Sequence, residues 1–385
     1  MYKLLMFVII LFAFNIRADD DEFLPISLDN VSELQQIYAI EFDHEFVGAS
    51  RIAFSQNGDH FVFWDRGVFA AVWHANNPEE HKILDFTDSE RDIPSVAGIT
   101  GPLNSSGTQL ITELDGAIQI LDITTQQVVW EFKFETSRDS YDVQFSPDDK
   151  YIAIFSRNEH GGGLLDIVEI ASKEIVYHDA LGAGFPAFSR SWQMMAYPNT
   201  RNEVMLWEIS FPDDPALLET IPSRPDLWIG VSLQFLHNED YLFFAQTDND
   251  LIMTHTTVWD TNNMLLYQQE EFKGYLSLMN EGALLFAIRS PRDPITGESD
   301  YQLWHVAEKR NFAQLSVNPG LLVRSDFAGT MFTTLSGPDV IIHNAETGEL
   351  LTILEGPNVS GHMFSPDMRF LVSWDETVQI WGVER

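Results

Sequence analysis

Five side chains are the candidates for binding in this sequence: Arg289, Arg292, Arg224, Trp228 and His160. The chain has 22 basic residues against 58 acidic ones, so cations in polar, loop-like stretches are scarce. Arginine and tryptophan are the side chains that most often anchor a protein partner. These residues therefore indicate a surface that docks a protein or peptide, although each one alone also fits an ordinary solvated loop.

The sequence contains none of the common catalytic or metal-binding motifs. It has no cysteine, no Gly-x-x-x-x-Gly-Lys-Ser/Thr, no His-Glu-x-x-His and no Gly-x-Ser-x-Gly. The acidic pairs Asp213-Asp214 and Asp248/Asp250 do not fit the twelve-residue calcium loop. Gly161–Gly163 is followed by no helical pattern, which a phosphate-binding loop requires. We predict no catalytic residue, no bound metal and no cofactor.

The net charge is −36. Such a field repels phosphate backbones and anionic lipid, so we expect no nucleic-acid partner. The absence of cysteine excludes disulfides and thiolate catalysis.

The amino terminus resembles an export signal. Lys3 precedes an apolar run from Leu4 to Phe14, and Ala18 is a small residue suited to cleavage. The run is shorter than the ~20 residues that span a bilayer, although a retained short anchor is the alternative. We predict a signal peptide at residues 1–18 and a disordered acidic start at residues 19–30. The protein would then be exported (extracellular, periplasmic or at the cell surface), without stable membrane insertion after cleavage.

Two sets of landmarks repeat along the chain about every 44 residues, which is the period of four-stranded propeller blades. The first set marks a strand followed by a polar turn: Phe54, Leu103, Phe145, Phe188, Phe235, Leu278, Phe327 and Phe364. The second set marks the end of a third strand, where a polar residue or glycine follows: Trp73, Leu121, Val168, Trp207, Trp259, Trp304, His343 and Trp381. Both sets give eight units.

Residues 31–385 resemble the WD40 family of β-propellers. The resemblance is carried by the Phe-Ser-Pro-Asp turns at 145–148 and 364–367 and by the pair Trp259-Asp260. Family members have a Gly-His pair well ahead of the turn, whereas Gly361-His362 lies only two residues before Phe364. The family's buried hydrogen-bond network is therefore expected to be incomplete here, so that apolar stacking between blades carries more of the stability.

The fold prediction is an all-β, single β-propeller of eight four-stranded blades. The last unit ends after its third strand, and residues 33–40 read as an unpaired fourth strand. We therefore expect the amino-terminal strand to complete the last blade and close the ring. The alternative is seven blades and one irregular unit, because the units at Leu278 and Phe327 are weak.

The resemblance places the loops between second and third strands, and those between blades, on one face of the disc. All five candidate residues fall in such loops, and loops on a rigid scaffold commonly carry binding. We predict a protein- or peptide-binding scaffold that uses this face. The alternative is a propeller hydrolase or lyase acting on a saccharide, lactone or peptide at the channel mouth. It is less favoured because only one of eight predicted channel positions, Asp142, is a carboxylate, whereas Arg51 and Arg324 are cations.

Overall fold

A computed structural model of the chain describes the following residues: 23–41, 50–55, 58–65, 69–74, 77–85, 103–114, 117–134, 139–157, 163–182, 184–211, 213–224, 227–236, 239–247, 253–273, 275–277, 285–289, 299–305, 310–317, 324–326, 329–336, 338–356, 359, 361–375 and 377–385. In these ranges the regular structure is β-strand, apart from a 3₁₀ turn at Val31–Glu33. No helix in this part of the chain is long and apolar enough to cross a membrane.

The described strands form eight antiparallel sheets, which we number in chain order. Two strands precede sheet 1 and belong to sheet 8: β1 (Phe23–Leu24) and β2 (Gln35–Glu41). The strands of sheets 1 to 4 are as follows. Sheet 1 contains β3 (Ser50–Phe54), β4 (His60–Asp65), β5 (Phe69–His74) and β6 (Asn77–Asp85). Sheet 2 contains β7 (Gln109–Leu114), β8 (Ala117–Asp122) and β9 (Gln127–Lys133). Sheet 3 contains β10 (Asp139–Phe145), β11 (Tyr151–Arg157), β12 (Gly163–Glu169) and β13 (Ile175–Leu181), and sheet 4 contains β14 (Ala187–Phe188), β15 (Met194–Pro198), β16 (Val204–Ser210) and β17 (Asp213–Ile221).

The second half of the chain continues the same pattern. Sheet 5 contains β18 (Trp228–Leu236), β19 (Tyr241–Thr247), β20 (Met253–Asp260) and β21 (Leu265–Lys273); sheet 6 contains β22 (Tyr275–Ser277), β23 (Leu285–Arg289), β24 (Ser299–His305) and β25 (Arg310–Val317); sheet 7 contains β26 (Arg324–Ser325), β27 (Met331–Ser336), β28 (Asp339–Asn344) and β29 (Leu350–Leu354); sheet 8 contains β30 (Gly361–Phe364), β31 (Phe370–Trp374) and β32 (Thr377–Glu384) together with β1 and β2.

The prediction of eight four-stranded blades is wrong, because the propeller has seven blades of four strands, with β1 as an additional strand in sheet 8. Sheet 2 is three-stranded within the described residues, where Leu103 forms only an isolated bridge to Leu110. A turn begins directly after Leu103, and the preceding Pro102 has no N–H with which to extend a ladder. Within the described residues the unit with fewer than four strands is therefore this one, whereas the sheets at Leu278 and Phe327 have four.

One hydrogen-bonding pattern explains why the turn after the first strand recurs. In each of these turns, one residue with an oxygen atom in its side chain donates its backbone N–H to the carbonyl of the residue five positions later, at 2.8–3.1 Å. Its side-chain oxygen accepts the N–H of that same later residue, at 2.9–3.0 Å. Short hydroxyl, amide and carboxylate side chains close turns in this way. The residues in this position are Ser55, Asn104, Ser146, Ser189, Asp326 and Ser365.

The second set of landmarks marks a β-bulge between the third and fourth strands. In every sheet the pairing register shifts at the landmark residue, for example between Val258 and Trp259 in sheet 5. The outer strand has one extra residue at this point, or three in sheet 1, and such an insertion increases the local twist and changes the direction of the side chains beside it. The hydrophobic–polar dipeptides in the sequence thus report a backbone irregularity shared by all eight sheets.

The amino-terminal strand β2 closes sheet 8, which confirms the predicted pairing. It runs antiparallel to β32, from Gln35 opposite Gly382 to Glu41 opposite Thr377. The register shifts between Gln36 and Tyr38, opposite Trp381, so that β2 reproduces the bulge of an ordinary fourth strand.

Residues 23–30, assigned above to a disordered start, also form structure. The strand β1 pairs with the end of β32, and Phe23 packs edge-on against Phe370 at a ring distance of 5.2 Å. Asn30 accepts the backbone N–H of Ser27 at 2.7 Å, which closes a turn between β1 and β2. Phe23, an aromatic residue directly after the acidic run, is the sequence signal that the assignment overlooked.

Buried apolar clusters join neighbouring sheets around the ring. One cluster spans sheets 1, 2 and 3, and includes Val72, Ile120 and Ile154. Another joins sheet 8 to sheet 1 through Trp374 and Phe63. Apolar side chains from both faces of a sheet therefore reach its two neighbours, as the radial packing of a propeller requires.

Candidate functional site

The structure describes three of the five predicted binding residues. Arg224 lies in the loop between β17 and β18, Trp228 is the first residue of β18, and Arg289 is the last residue of β23. Arg292 and His160 lie outside the described residues. The three located residues occupy the same edge of the disc, which we call the loop face, on or beside the neighbouring sheets 5 and 6.

Three polar side chains form a row across sheet 5 at the loop face. Gln246, on β19, is the register partner of His255 on β20, and His255 is the register partner of Glu271 on β21. Residues opposite one another on adjacent strands point to the same side of a sheet. Gln246 and His255 are buried, with 2% and 8% of their surfaces exposed, whereas the side chain of Glu271 is 56% exposed. The row therefore runs from the interior to solvent.

Arg224 lies against this row, and its backbone is held at both polar atoms. Its N–H donates to the side-chain oxygen of Gln246 at 3.1 Å, and its carbonyl accepts the Gln246 amide at 3.0 Å. The same carbonyl accepts the N–H of Leu227 at 3.2 Å and the side-chain amide of Asn202 at 3.4 Å. Because Asn202 belongs to a turn of sheet 4, the loop is fixed from both sides.

The side chain of Arg224 meets His255, which faces two opposite charges. Arg224 Nη1 lies 3.5 Å from His255 Nε2, and Glu271 Oε1 lies 3.6 Å from that same nitrogen. A bare Nε2 accepts a hydrogen bond from the guanidinium, whereas a protonated Nε2 donates toward the carboxylate. The nitrogen cannot do both at once, so the tautomer of the ring selects which neighbour it binds. We call Arg224, Gln246, His255 and Glu271 the seam site, because they lie at the seam between sheets 4 and 5.

Sequence reasoning identified Arg224 but missed the other three members. Gln246 and His255 appear in strands of largely apolar or threonine-rich sequence, and Glu271 follows another acid in a polar run. The available signal was the register: residues at the loop-face ends of three consecutive strands meet when the hairpins pair.

Two further polar clusters lie elsewhere in the ring, one within sheet 3 and one between sheets 3 and 4. His178 Nδ1 contacts the fully buried Asp166 at 2.7 Å, while half of the His178 side chain is exposed. Between sheets 3 and 4, the hydroxyls of Tyr177 and Tyr197 lie 2.6 Å apart, and Tyr197 donates to Asp179. Burial is the main cause that raises the pKa of Tyr177, to about 12, and it also raises the pKa of Tyr197.

Buried polar groups also line the junction of sheets 7 and 8. His362 is fully buried, and its Nε2 contacts the hydroxyl of Thr333. Burial, together with the nearby Arg324, lowers the pKa of His362 to about 3. In the part of the chain that the structure describes, no three histidine or acidic side chains converge in a way that would hold a metal ion.

Known structures resemble this chain over most of its length. The propeller of Dos1 superposes with a TM-score of 0.62 at 13% identity, covering 92% of this chain and 97% of that one. The C-terminal WD40 domain of Sif2 superposes with a TM-score of 0.58 at 11% identity, covering 92% and 99%. The fold is that of a WD40-like β-propeller. No family model matches the sequence, and no curated protein matches it.

The propeller fold gives the seam site a fixed frame. Arg224, Gln246, His255 and Glu271 come from one inter-sheet loop and three strands of one sheet, and the ring holds these elements in register. At 11–13% identity the likeness to the solved propellers concerns the fold alone.

Proposed function

We propose that the protein is an exported scaffold that binds a protein or peptide through its loop face. The observation that carries the proposal is the fixed position of Arg224, whose backbone N–H and carbonyl are both bound by the buried Gln246. Because the backbone at Arg224 is already fixed, a partner that binds the guanidinium does not have to order the loop, which is how preorganised anchors gain affinity. Trp228 and Arg289, at the same edge, supply further residues of the types enriched in binding hot spots.

The charge of the chain supports a protein partner rather than a nucleic acid. With a net charge of −36, the propeller repels polyanions and attracts basic surfaces. A loop face with a few cations in an acidic surround favours a partner whose overall charge is positive and whose contact residues include an acidic group.

A capture experiment tests the binding function. The purified protein would be immobilised and exposed to the native secreted and envelope fraction, in parallel with an Arg224→Ala variant and a Trp228→Ala/Arg289→Ala variant. Arg190→Ala is the matched control, because Arg190 is an exposed arginine in a turn on the opposite face. We expect a stoichiometric partner that the loop-face variants lose and the control retains. A partner captured equally by all four proteins would overturn the choice of face.

Export is tested separately. The protein recovered from outside the cytoplasm should begin at Asp19 when its amino terminus is sequenced, since the signal is expected to end at Ala18. A protein found only in the cytoplasm and starting at Met1 would contradict the proposal.

A further inference from the structure

We propose that the seam site binds a carboxylate group of the partner between Arg224 and His255, and that Glu271 is the internal carboxylate which it displaces. This inference rests on the proposed binding function and names the chemistry of its contact. The partner group is an aspartate or glutamate side chain or a chain terminus.

The pairing of Glu271 with the site is loose. Its Oε1 lies 3.6 Å from His255 Nε2, which is longer than a hydrogen bond between nitrogen and oxygen. More than half of the Glu271 side chain is exposed, so it can rotate into solvent without losing buried contacts. An exposed ion pair of this kind contributes little to stability. The site therefore holds a carboxylate that another carboxylate can replace.

The groups that remain after Glu271 departs form a built receptor. Arg224 keeps its position because Gln246, Leu227 and Asn202 hold its backbone. His255 is 8% exposed and therefore presents its ring at a fixed place in the sheet. With a proton on Nε2, His255 and Arg224 offer two N–H donors that converge on one anion, which is the arrangement that charge-assisted recognition of a carboxylate needs.

The acidic surface favours a carboxylate over a phosphate at this position. A phosphate group brings nearly two negative charges into the field of a chain with a net charge of −36, whereas a carboxylate brings one. The field therefore penalises phosphate more, and the single exposed arginine of the site cannot offset that difference.

The test follows the His255 ring in the full-length protein by NMR. The histidine rings are isotope-labelled, and the His255 signal is assigned by its absence in His255→Gln. Sodium acetate is titrated first, at constant ionic strength, and inorganic phosphate second. A glutamate-containing peptide with an amidated end is then compared with a glutamate-free peptide that has a free terminus, which separates the two sources of carboxylate.

We expect acetate to shift the His255 signal saturably and more tightly than phosphate does. Arg224→Gln should abolish the shift, and Glu271→Gln should tighten acetate binding about two- to fivefold because the internal competitor is gone. Glu270→Gln is the matched control, since Glu270 is the adjacent acid on the other face of β21, and it should leave the affinity unchanged. An unchanged affinity in Glu271→Gln, a normal titration in Arg224→Gln, or tighter binding of phosphate would overturn the proposal.

The two proposals fail in different ways. Loss of partner capture in Arg224→Ala, without acetate binding in the wild-type protein, would keep the docking function and overturn the carboxylate contact. Acetate binding without any effect of the loop-face variants on capture would keep the receptor and overturn the docking function.

Discussion

Trp381 donates its indole N–H to the hydroxyl of Ser373 at 3.0 Å, and Ser373 in turn donates to Gln379 at 3.2 Å. The corresponding indole nitrogens of Trp207 and Trp259 are buried without a hydrogen-bond acceptor among the described residues. The same sequence landmark thus has a polar partner in sheet 8 and lacks one in sheets 4 and 5. This supports the expectation that the buried network of the WD40 resemblance is incomplete.

The hydrogen bond in sheet 8 should contribute measurably to stability. We expect the variants Trp381→Phe and Ser373→Ala to show a coupling energy of about 1 kcal/mol in a double-mutant cycle, the usual net value of a buried hydrogen bond. Urea denaturation of the four proteins measures it. Trp207→Phe, which removes an unbonded indole N–H, is the comparison and should lose only packing. A coupling energy near zero would show that the contact in sheet 8 carries no stability.

Ring closure by β2 should be separable from the rest of the fold. A chain that lacks residues 1–41 should unfold at a lower temperature, because the edge of β32 is left without its partner. A synthetic peptide of residues 23–41 should restore the lost stability in a concentration-dependent manner. The control peptide carries prolines at Tyr38 and Ala39, two adjacent positions, so that one of them removes an N–H of the ladder. Equal rescue by both peptides would contradict the role of strand pairing.

The tyrosine pair between sheets 3 and 4 should make the protein sensitive to alkali. Burial raises the pKa of Tyr177 to about 12 and that of Tyr197 as well, so both phenols ionise more readily in the unfolded chain. Their contribution to stability is complete below pH 10 and is lost as the pH rises toward 12. Denaturation at pH 8, 10 and 11 should show this loss, and Tyr177→Phe should reduce its slope. If Tyr177→Phe lost stability with rising pH as steeply as the wild type, Tyr177 would not contribute to the alkaline sensitivity.

The buried histidine in sheet 8 should make the protein sensitive to acid. The pKa of His362 is lowered from 6.5 to about 3, so the unfolded chain takes up a proton that the native protein excludes. The free energy of unfolding should fall below pH 6.5 by up to about 1.4 kcal/mol per pH unit from this residue. His362→Gln should flatten the profile between pH 7 and pH 4. If the free energy of unfolding of His362→Gln fell with pH as steeply as that of the wild type, His362 would not be the cause.

Asp326 should change the free energy of unfolding with pH in the opposite direction to His362. Burial raises its pKa, so the native protein binds this proton more readily than the unfolded chain does. Its titration therefore adds stability as the pH falls, and Asp326→Asn should make the acid loss steeper. The same denaturation series measures both variants.

The repeat and its closure could be predicted because they depend on local patterns. Ser146 and Ser365 close their turns by the same hydrogen bonds, and the hydrophobic–polar dipeptides mark a bulge that every sheet contains. These features recur at nearly constant spacing, so a single sequence reveals them. At sheet 2 the local pattern was not sufficient: Leu103 marks the turn as well as any other landmark, but within the described residues it forms only an isolated bridge to Leu110.

The seam site could be predicted only in part because it depends on long-range register. Arg224 was identifiable as a scarce cation in a loop. The proximity of Gln246, His255 and Glu271 follows from how three strands align, and no short pattern in the sequence encodes that alignment. The carboxylate–histidine contact of Asp166 and His178 escaped prediction for the same reason, since the two residues lie on different strands of sheet 3.

The pairing of β2 with β32 also sets the order in which the molecule can be completed. These two strands are far apart in the chain, so β2 is synthesised long before its partner β32. Until Thr377–Glu384 has emerged, sheet 8 has no edge for β2 to join, and the apolar cluster that joins sheets 8 and 1 cannot form. Before that point a nascent propeller is an open arc, and β2 has no strand with which to pair.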